Sequence, residues 1–307
     1  MTSKKLDDYD WTKNRLKYLF DNVKDWKDDL VYTEYLGIWS MKKLIALDYY
    51  IEPFVKILRK NNFKKWVFVD PFAGSGLFKI NDKFNFPGSP LIPLFRREQF
   101  HKYLLSDVNQ KYINALNLRI KNFENIEILN NIEIKKIDCN KRINEIFSGS
   151  RPNNWKDIAY LVFLDSYGLD ISWDNMARIL NSGPVDIIFT FMTWGIVRNK
   201  NIIQSRPKLN KFFGDIHWQS LSKQDDFVEY YCKKIQKFGH YKKYKTYNIA
   251  IENLKGNRYD LILATQSEGG ANVLNDLRKK IESINPKMIE GAFSVARGEQ
   301  RQISEFY

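Results

Sequence analysis

The sequence predicts an α/β fold built on a doubly wound, mostly parallel sheet with a helical extension at its N-terminus. Short apolar runs alternate with helix-like stretches, which is the pattern of βαβ units. A late pair of strand-like runs around a turn at 255–257 predicts an antiparallel edge. The predicted strands are 65–70, 102–107, 132–138, 158–165, 185–192, 247–252 and 258–265, and a helix over 271–284 follows them.

Three regions of the chain differ in pattern. Residues 1–60 are predicted to form the helical extension, because apolar residues recur there at three- and four-residue steps in two aromatic-rich segments. Residues 61–285 form the predicted α/β domain, with a basic insertion at about 196–246. Residues 286–307 are predicted to be a C-terminal tail.

The charge balance favours a polyanionic partner. Lys and Arg outnumber Asp and Glu by 49 to 36, giving a net charge of +13, and aromatic residues make up 15% of the chain. Cations release counterions from phosphates and aromatic rings stack on bases, so RNA or DNA is the expected partner. The compositional drift of an AT-rich genome is the alternative explanation.

The two cysteines and the polar N-terminus bear on location. Cys139 and Cys232 are far apart and follow no metal-ligand spacing, so we expect two free, buried thiols in a reducing compartment and no metal site. No stretch approaches the roughly 20 apolar residues of a membrane span. A cytoplasmic protein is therefore predicted.

Each of the first four predicted strands ends in an aspartate: Asp70, Asp107, Asp138 and Asp165. Open parallel sheets bind ligands at the carboxyl ends of their strands, so these four acids are expected to converge on one crevice. A single terminal aspartate would be an ordinary helix cap.

A glycine-containing loop follows the first strand. Residues 70–76 read Asp-Pro-Phe-Ala-Gly-Ser-Gly, and Gly74 and Gly76 allow a sharp turn and close approach to a ligand. Lys79 occupies the last glycine position of the dinucleotide fingerprint, so that motif fails. The leading acid would repel a pyrophosphate, but it suits the cationic S-adenosylmethionine.

This reasoning predicts an S-adenosylmethionine site. Asp107 is expected to accept hydrogen bonds from the ribose hydroxyls, and Asp138 from the adenine amino group. The predicted cofactor-binding residues are Asp70, Phe72, Ala73, Gly74, Ser75, Gly76, Asp107 and Asp138.

The glycine loop also carries a family resemblance. Residues 68–76 and the Gly-Ser-Pro-Leu of 88–91 resemble the three-Cys-motif partner proteins, a class I methyltransferase-like group. An upstream helix with Trp39 and Lys43 extends the resemblance, which covers about residues 35–285.

The resemblance implies a Rossmann-like methyltransferase sheet, S-adenosylmethionine as cofactor, and a protein partner that carries three cysteines. Such proteins tend to have Asp-Pro-aromatic-Gly after the fourth strand. Here the sequence of 165–168 is Asp-Ser-Tyr-Gly, with Ser166 in place of proline. This departure puts the catalytic role in doubt more than the fold.

Asp165 and Tyr167 are the predicted catalytic residues. Amino methyltransferases that act on nucleic acids use an acid to accept hydrogens of the target amine and an aromatic ring to stack on the base. The alternative, weighed equally, is a strand-ending turn in which Asp165 caps and Tyr167 packs. No cysteine is suitably placed for covalent attack on cytosine, since Cys139 follows the third strand.

The segment 233–247 interleaves cations and aromatic residues, and it is the predicted nucleic-acid surface. A second basic stretch contains Arg198, Lys200, Arg206, Lys208 and Lys211. A solvated helix face is the alternative for both. The predicted nucleic-acid-binding residues are Lys233, Lys234, Lys237, Tyr241, Lys242, Lys243, Tyr244 and Lys245.

The predicted function is S-adenosylmethionine-dependent methylation of an amino nitrogen in a nucleic acid, with RNA favoured over DNA. One alternative is a non-catalytic, methyltransferase-like subunit that binds nucleic acid or serves as a scaffold beside its partner. Another is a dinucleotide-dependent oxidoreductase.

Overall fold

The structure is a computed structural model that describes most of the chain: residues 3–26, 33–35, 37–80, 84–123, 125–149, 154, 156–239, 242–252, 256–296 and 298. Its strands are β1 (Glu34–Tyr35), β2 (Lys65–Asp70), β3 (Leu77–Ile80), β4 (Phe84–Pro87), β5 (Lys102–Asp107), β6 (Ile132–Lys136), β7 (Ile158–Leu164), β8 (Val185–Phe191), β9 (Lys245–Glu252) and β10 (Arg258–Thr265). Its helices are α1 (Ser3–Asp21), α2 (Ile38–Lys60), α3 (Ile92–Phe95), α4 (Gln110–Ile120), α5 (Ile126–Asn130), α6 (Cys139–Phe147), α7 (Trp173–Asn181), α8 (Thr193–Asn199), α9 (Arg206–Phe213), α10 (Gln224–Gln236), α11 (Glu268–Ser283) and α12 (Pro286–Ala296).

Seven strands form the central sheet, in the order β6-β5-β2-β7-β8-β10-β9. Strands β6, β5, β2, β7 and β8 are parallel, and β10 runs antiparallel to both β8 and β9. The mostly parallel sheet with a late antiparallel hairpin is therefore confirmed. Because β6, β5, β2, β7 and β8 are parallel, their carboxyl ends lie along one edge of the sheet, which we call the carboxyl edge. We call the opposite edge, where these strands begin, the amino edge.

Helices cover both faces of the sheet, so the doubly wound arrangement is confirmed. One hydrophobic core joins the sheet to α1, α2, α11 and α12, and includes the buried Ile45 and Leu274. The other joins it to α6, α7, α9 and α10, and includes the buried Met176 and Phe212. Strand β8 is buried along its whole length, as expected for a central strand covered on both faces.

The N-terminal helices are fixed to the α/β domain by a buried charge cluster. Asp48 on α2 is fully buried and accepts a hydrogen bond from Arg15 of α1 at 2.9 Å. Arg96, which follows α3, pairs with the other oxygen of Asp48. A buried charge needs such partners, so the cluster connects three separate parts of the chain.

Two features of the structure were not predicted. Residues 77–87 contain the hairpin of β3 and β4, which forms a second, three-stranded sheet with β1. Helix α12 lies in the segment predicted to be a tail, and its Phe293 ring lies 5.5 Å from that of Phe20 on α1. None of the helices in the described part of the chain is long and apolar enough to cross a membrane.

Candidate functional site

A cavity of about 400 Å³ opens at the carboxyl edge, beside the ends of β2, β5, β6 and β7. Its volume is within the range of small-molecule sites. Of the four strand-end aspartates that were predicted to converge, Asp107, Asp138 and Asp165 line the cavity and Asp70 does not. The carboxylates in its wall are those of Glu34, Asp107, Asp138, Asp165 and Asp170.

The glycine loop forms one wall of this cavity. Phe72, Ala73 and Gly74 line it, and Gly74 has a φ of 60°, a left-handed conformation that favours glycine. The Gly74 amide donates to Asp107 Oδ2 at 3.1 Å, while the Ala73 amide donates to the Ser106 carbonyl at 2.9 Å. The loop is therefore held against the end of β5, where an aspartate is available to a ligand.

The other predicted loop residues lie beneath the cavity and do not line it. Asp70 is fully buried and accepts from the Phe72 amide at 3.0 Å; burial raises the pKa of its carboxyl to about 7. Ser75 is buried and donates its hydroxyl to the Leu77 carbonyl. Gly76 has a φ of 85° and packs against Leu116. These three residues shape the loop from below, so direct cofactor contact is not supported for them.

Asp107 and Asp138 both have protein partners as well as a cavity-facing position. Asp107 Oδ1 accepts from the Asn109 amide at 2.8 Å, and burial raises the pKa of the Asp107 carboxyl above its ordinary value. Asp138 Oδ1 caps α6 by accepting from the amides of Asn140 and Lys141 at 3.0 and 3.2 Å. Asp138 is therefore a helix cap. It also lies in the cavity wall, and its contact with adenine stays a prediction.

Glu34 is a site residue that the sequence analysis missed. It lies on the two-residue strand β1, and its Oε2 is 3.4 Å from the Ser75 amide. The Tyr167 hydroxyl donates to Glu34 Oε1 at 3.2 Å. Burial raises the pKa of the Glu34 carboxyl. Glu34 therefore bridges the glycine loop and the loop after β7, across the top of the cavity.

Asp165 forms an ion pair with Lys43 on α2, with Lys43 Nζ 2.6 Å from Asp165 Oδ2. Both side chains are largely buried, at 9% and 14% exposure. Ser166 is buried and donates its hydroxyl to the Gly168 carbonyl at 2.7 Å, which closes a tight turn where the related pattern has proline. The Tyr167 residue is 75% exposed. The structure therefore brings the acid and the ring together at the cavity, with a lysine beside them.

The loop is poorly suited to a pyrophosphate. After Gly76 the chain enters strand β3, whereas dinucleotide sites place a helix N-terminus there. The acidic wall would also repel phosphates at close range. Both observations disfavour the dinucleotide-dependent oxidoreductase.

The described residues do not favour a cysteine nucleophile or a metal site. Cys139 and Cys232 are free and buried, as predicted, and burial raises the pKa of the Cys139 thiol to about 12. A thiol of such high pKa is a poor nucleophile at neutral pH. In the part of the chain that the structure describes, no three His, Cys, Asp or Glu side chains are placed so that together they could hold a metal ion.

The predicted nucleic-acid segment lies away from the cavity. Lys245 pairs with Thr265 at the start of β9, and Ala264 lies opposite Ile187 near the start of β8, so this end of the hairpin is at the amino edge. Tyr244 is only 2% exposed and so cannot stack on a base.

Most lysines of this segment already have partners. Lys233 pairs with Glu229 at 2.6 Å and Lys245 with Glu268 at 2.5 Å. Lys234 pairs with Asp215, and Lys243 donates to the Lys237 carbonyl at 2.6 Å. Lys242 is exposed, and Tyr241 lies outside the described residues.

A second cavity, of about 550 Å³, opens at the amino edge beside Lys242. Its buried polar group is Asp186, which accepts from the Tyr50 hydroxyl at 2.7 Å; burial raises the pKa of Asp186 to about 6. The hydrogen bond connects α2 to β8, so a structural role accounts for this acid. The cavity at the carboxyl edge has the larger set of cavity-lining acids and the glycine loop.

The sheet and the helices on both of its faces define a doubly wound α/β fold. No family model and no curated protein sequence matches the chain. Solved structures with similar folds include a Legionella pneumophila protein of family DUF519, at 9% identity over 77% of this chain and 92% of that chain, with a TM-score of 0.45. Two S-adenosylmethionine-dependent methyltransferases are also similar, both with a TM-score of 0.28. The one from Clostridium acetobutylicum is 10% identical over 76% of this chain and 79% of that chain, and the one from Anabaena variabilis is 9% identical over 78% and 100%. At such identities and TM-scores these likenesses indicate no function for this chain, and membership of the three-Cys-motif partner family stays a prediction.

Proposed function

We propose that the protein binds S-adenosylmethionine in the cavity at the carboxyl edge and transfers its methyl group to an amino nitrogen of a nucleic acid. The observation that carries the proposal is the convergence of the loop 72–74, Asp107 and Asp165 on one acid-lined cavity. A left-handed glycine and an acidic wall fit a cationic ligand that must approach the backbone closely.

Within the cavity each residue has a specific task. Phe72, Ala73 and Gly74 would hold the cofactor, with Asp107 and Asp138 as acceptors for its hydroxyl and amino groups. When bound there, S-adenosylmethionine would supply the methyl group. Asp165 would accept a hydrogen bond from the amine through Oδ1, because its Oδ2 is paired with Lys43. The exposed Tyr167 ring offers a stacking surface for the base.

The reaction demands positioning more than acid–base strength. Lys43 and the Ser166 turn fix the direction of the Asp165 carboxylate, and Glu34 fixes the Tyr167 hydroxyl. The same proposal includes RNA ahead of DNA as the substrate, a cytoplasmic location and a partner with three cysteines.

A tritiated-methyl transfer assay on total RNA and on DNA, with and without the partner, tests this function. We expect incorporation that is lost in Asp165→Ala, while binding of S-adenosylhomocysteine is retained. Asp170→Asn is the matched control, because Asp170 lines the same cavity but pairs with Lys208. Loss of activity in the Asp170 variant and not in the Asp165 variant would contradict the assignment.

The Asp165–Lys43 ion pair also favours a second candidate function, that of a non-catalytic subunit. A carboxylate that is already neutralised by lysine is a weaker acceptor for a target amine, and this is compatible with a non-catalytic, nucleic-acid-binding subunit. Cofactor binding without transfer to any RNA or DNA, even with the partner present, would favour that function.

A further inference from the structure

The segment 187–214 contains five cations and no Asp or Glu. It begins within β8 and continues through α8, a 3₁₀ turn at Ile203–Ser205 and α9. Because β8 ends at the carboxyl edge, the segment leaves the sheet on the same side as the acid-lined cavity. We call residues 194–211 the basic rim.

The basic rim contacts the wall of the cavity through Lys208. Lys208 Nζ of α9 is 2.8 Å from Asp170 Oδ1, and Asp170 lines the cavity. The rim is also anchored to the core, since Leu209 is fully buried and so are Phe212 and Phe213, which follow it on α9. Its outer side is thus a fixed surface that borders the site.

Cations are available on the outer side of the rim. Arg198, Arg206 and Lys211 are exposed, and none of them has a carboxylate partner within 4 Å among the described residues. The Arg198 guanidinium lies 5.0 Å from the centroid of the half-exposed Trp194 ring. Arginine over an aromatic ring is a surface on which a base or sugar can pack.

Apolar side chains lie among these cations. Ile203 is 69% exposed, Ile202 is 42% exposed and Val197 is 36% exposed. Exposed aliphatic groups beside unpaired cations suit a ligand that has both charged and apolar parts. A single-stranded nucleic acid, with phosphates and unstacked bases, is such a ligand.

The cavity itself constrains how a nucleic acid can bind. Its wall carries five carboxylates, of which Asp165 pairs with Lys43 and Asp170 with Lys208. Phosphates are repelled from such a wall, so a substrate must insert a base and leave its backbone outside. Resting on the proposed function, we infer that a single strand of nucleic acid lies along the basic rim 194–211, with one base turned into the cavity.

Two variants distinguish the basic rim from the lysine-rich surface near the amino edge. The rim variant is Arg198→Gln, Arg206→Gln and Lys211→Gln combined. The control variant combines Lys233→Gln, Lys237→Gln and Lys242→Gln near the amino edge, and it lowers the net charge by the same amount. Binding of labelled single strands of about 20 nucleotides, RNA and DNA, is measured between about 50 and 200 mM salt without cofactor.

We expect the rim variant to bind on the order of 100-fold more weakly near 0.1 M salt, with a salt slope flatter by about 2, since each lost contact to a single strand removes about 0.7. The control variant should keep the wild-type slope. Equal losses in both variants, a larger loss in the control, or equally good competition by poly-L-glutamate would overturn the inference. The last result would point to an acidic protein as the partner.

A second pair of variants tests the apolar part of the rim. Ile203→Glu places an acid on the rim and should weaken strand binding about tenfold, whereas Ile126→Glu, at a 71% exposed position near the amino edge, should not. Equal effects of the two substitutions would contradict the inference. Calorimetry with S-adenosylhomocysteine is run on every variant. Absent cofactor binding in the wild type would refute the proposed function while the strand measurements still decide the location of the surface.

Discussion

Two glycines of the same loop allow the cofactor proposal to be separated from a purely structural role. Gly74 and Gly76 both have left-handed backbones, with φ of 60° and 85°, so alanine at either costs about 1–2 kcal/mol of folding free energy. An added Cβ at Gly76 would lie 2.8 Å from Leu116 in the buried interior, where overpacking costs about 1–3 kcal/mol more. Gly76→Ala is therefore expected to be the less stable variant.

At Gly74 the added Cβ would lie 2.8 Å from Glu34 Oε2, at the edge of the cavity. The Glu34 carboxylate must move, and the methyl group takes space at the loop that would hold the cofactor. We expect Gly74→Ala to be destabilised by only about 1–2 kcal/mol but to bind S-adenosylhomocysteine at least about tenfold more weakly, a loss of about 1.4 kcal/mol.

Urea unfolding gives the stabilities, and calorimetry at a temperature where both variants are folded gives the affinities. Gly76→Ala should bind the ligand nearly as the wild type does, because Gly76 faces away from the cavity. Equal losses of affinity in the two variants, or unchanged binding in Gly74→Ala, would refute the reasoning.

Three further predictions concern buried groups. Burial raises the pKa of Asp70 to about 7, so its charge destabilises the fold as pH rises; relative to Asp70→Asn, the wild-type free energy of unfolding should fall by about 2 to 3 kcal/mol between pH 5 and 8, and a constant difference would contradict this. Lys43→Met leaves the carboxylate of Asp165 without its cation and should cost about 3 kcal/mol in urea unfolding and abolish methyl transfer, whereas Lys43→Arg should restore much of both; full activity in Lys43→Met would argue against a positioning role. Phe293→Ala removes an α12 ring packed on Phe20 and should cost about 3–5 kcal/mol by urea unfolding, whereas a loss below about 1 kcal/mol would show that α12 adds little to the core.

Most of the central sheet could be predicted because β2, β5, β7, β8 and β10 are largely apolar runs with clear ends. The predicted bounds of β2, β5 and β10 coincide with those in the structure. Strand β1 could not be predicted, since two residues carry no periodicity, and Glu34 was missed with it. Helix α12 was not predicted, because it lies within the segment 286–307 that was predicted to be a C-terminal tail.

The position of the basic segments could not be read from composition. The antiparallel hairpin reverses the chain, so the residues that lead into β9 emerge at the amino edge, far along the sheet from Asp165. The stretch after β8 has a lower density of cations, but it leaves the sheet at the carboxyl edge. Topology, and not charge, decides which of the two borders the cavity.

Likewise, the chemistry of individual acids depended on contacts between distant parts of the chain. The sequence located Asp107, Asp138 and Asp165 at one edge, and the structure brings all three into one cavity wall. The sequence alone could not show that Lys43 pairs with Asp165, because the two residues lie far apart in the chain. Nor could it show that Asp70 lies under the loop and out of the cavity.

Titration calorimetry of the wild-type protein with S-adenosylhomocysteine and, separately, with NAD⁺ tests the central claim most directly. The acid-lined cavity and the left-handed Gly74 predict micromolar binding of S-adenosylhomocysteine, about −8 kcal/mol, at one site, and no binding of NAD⁺. Tight binding of NAD⁺ with none of the adenosyl ligand would contradict the account.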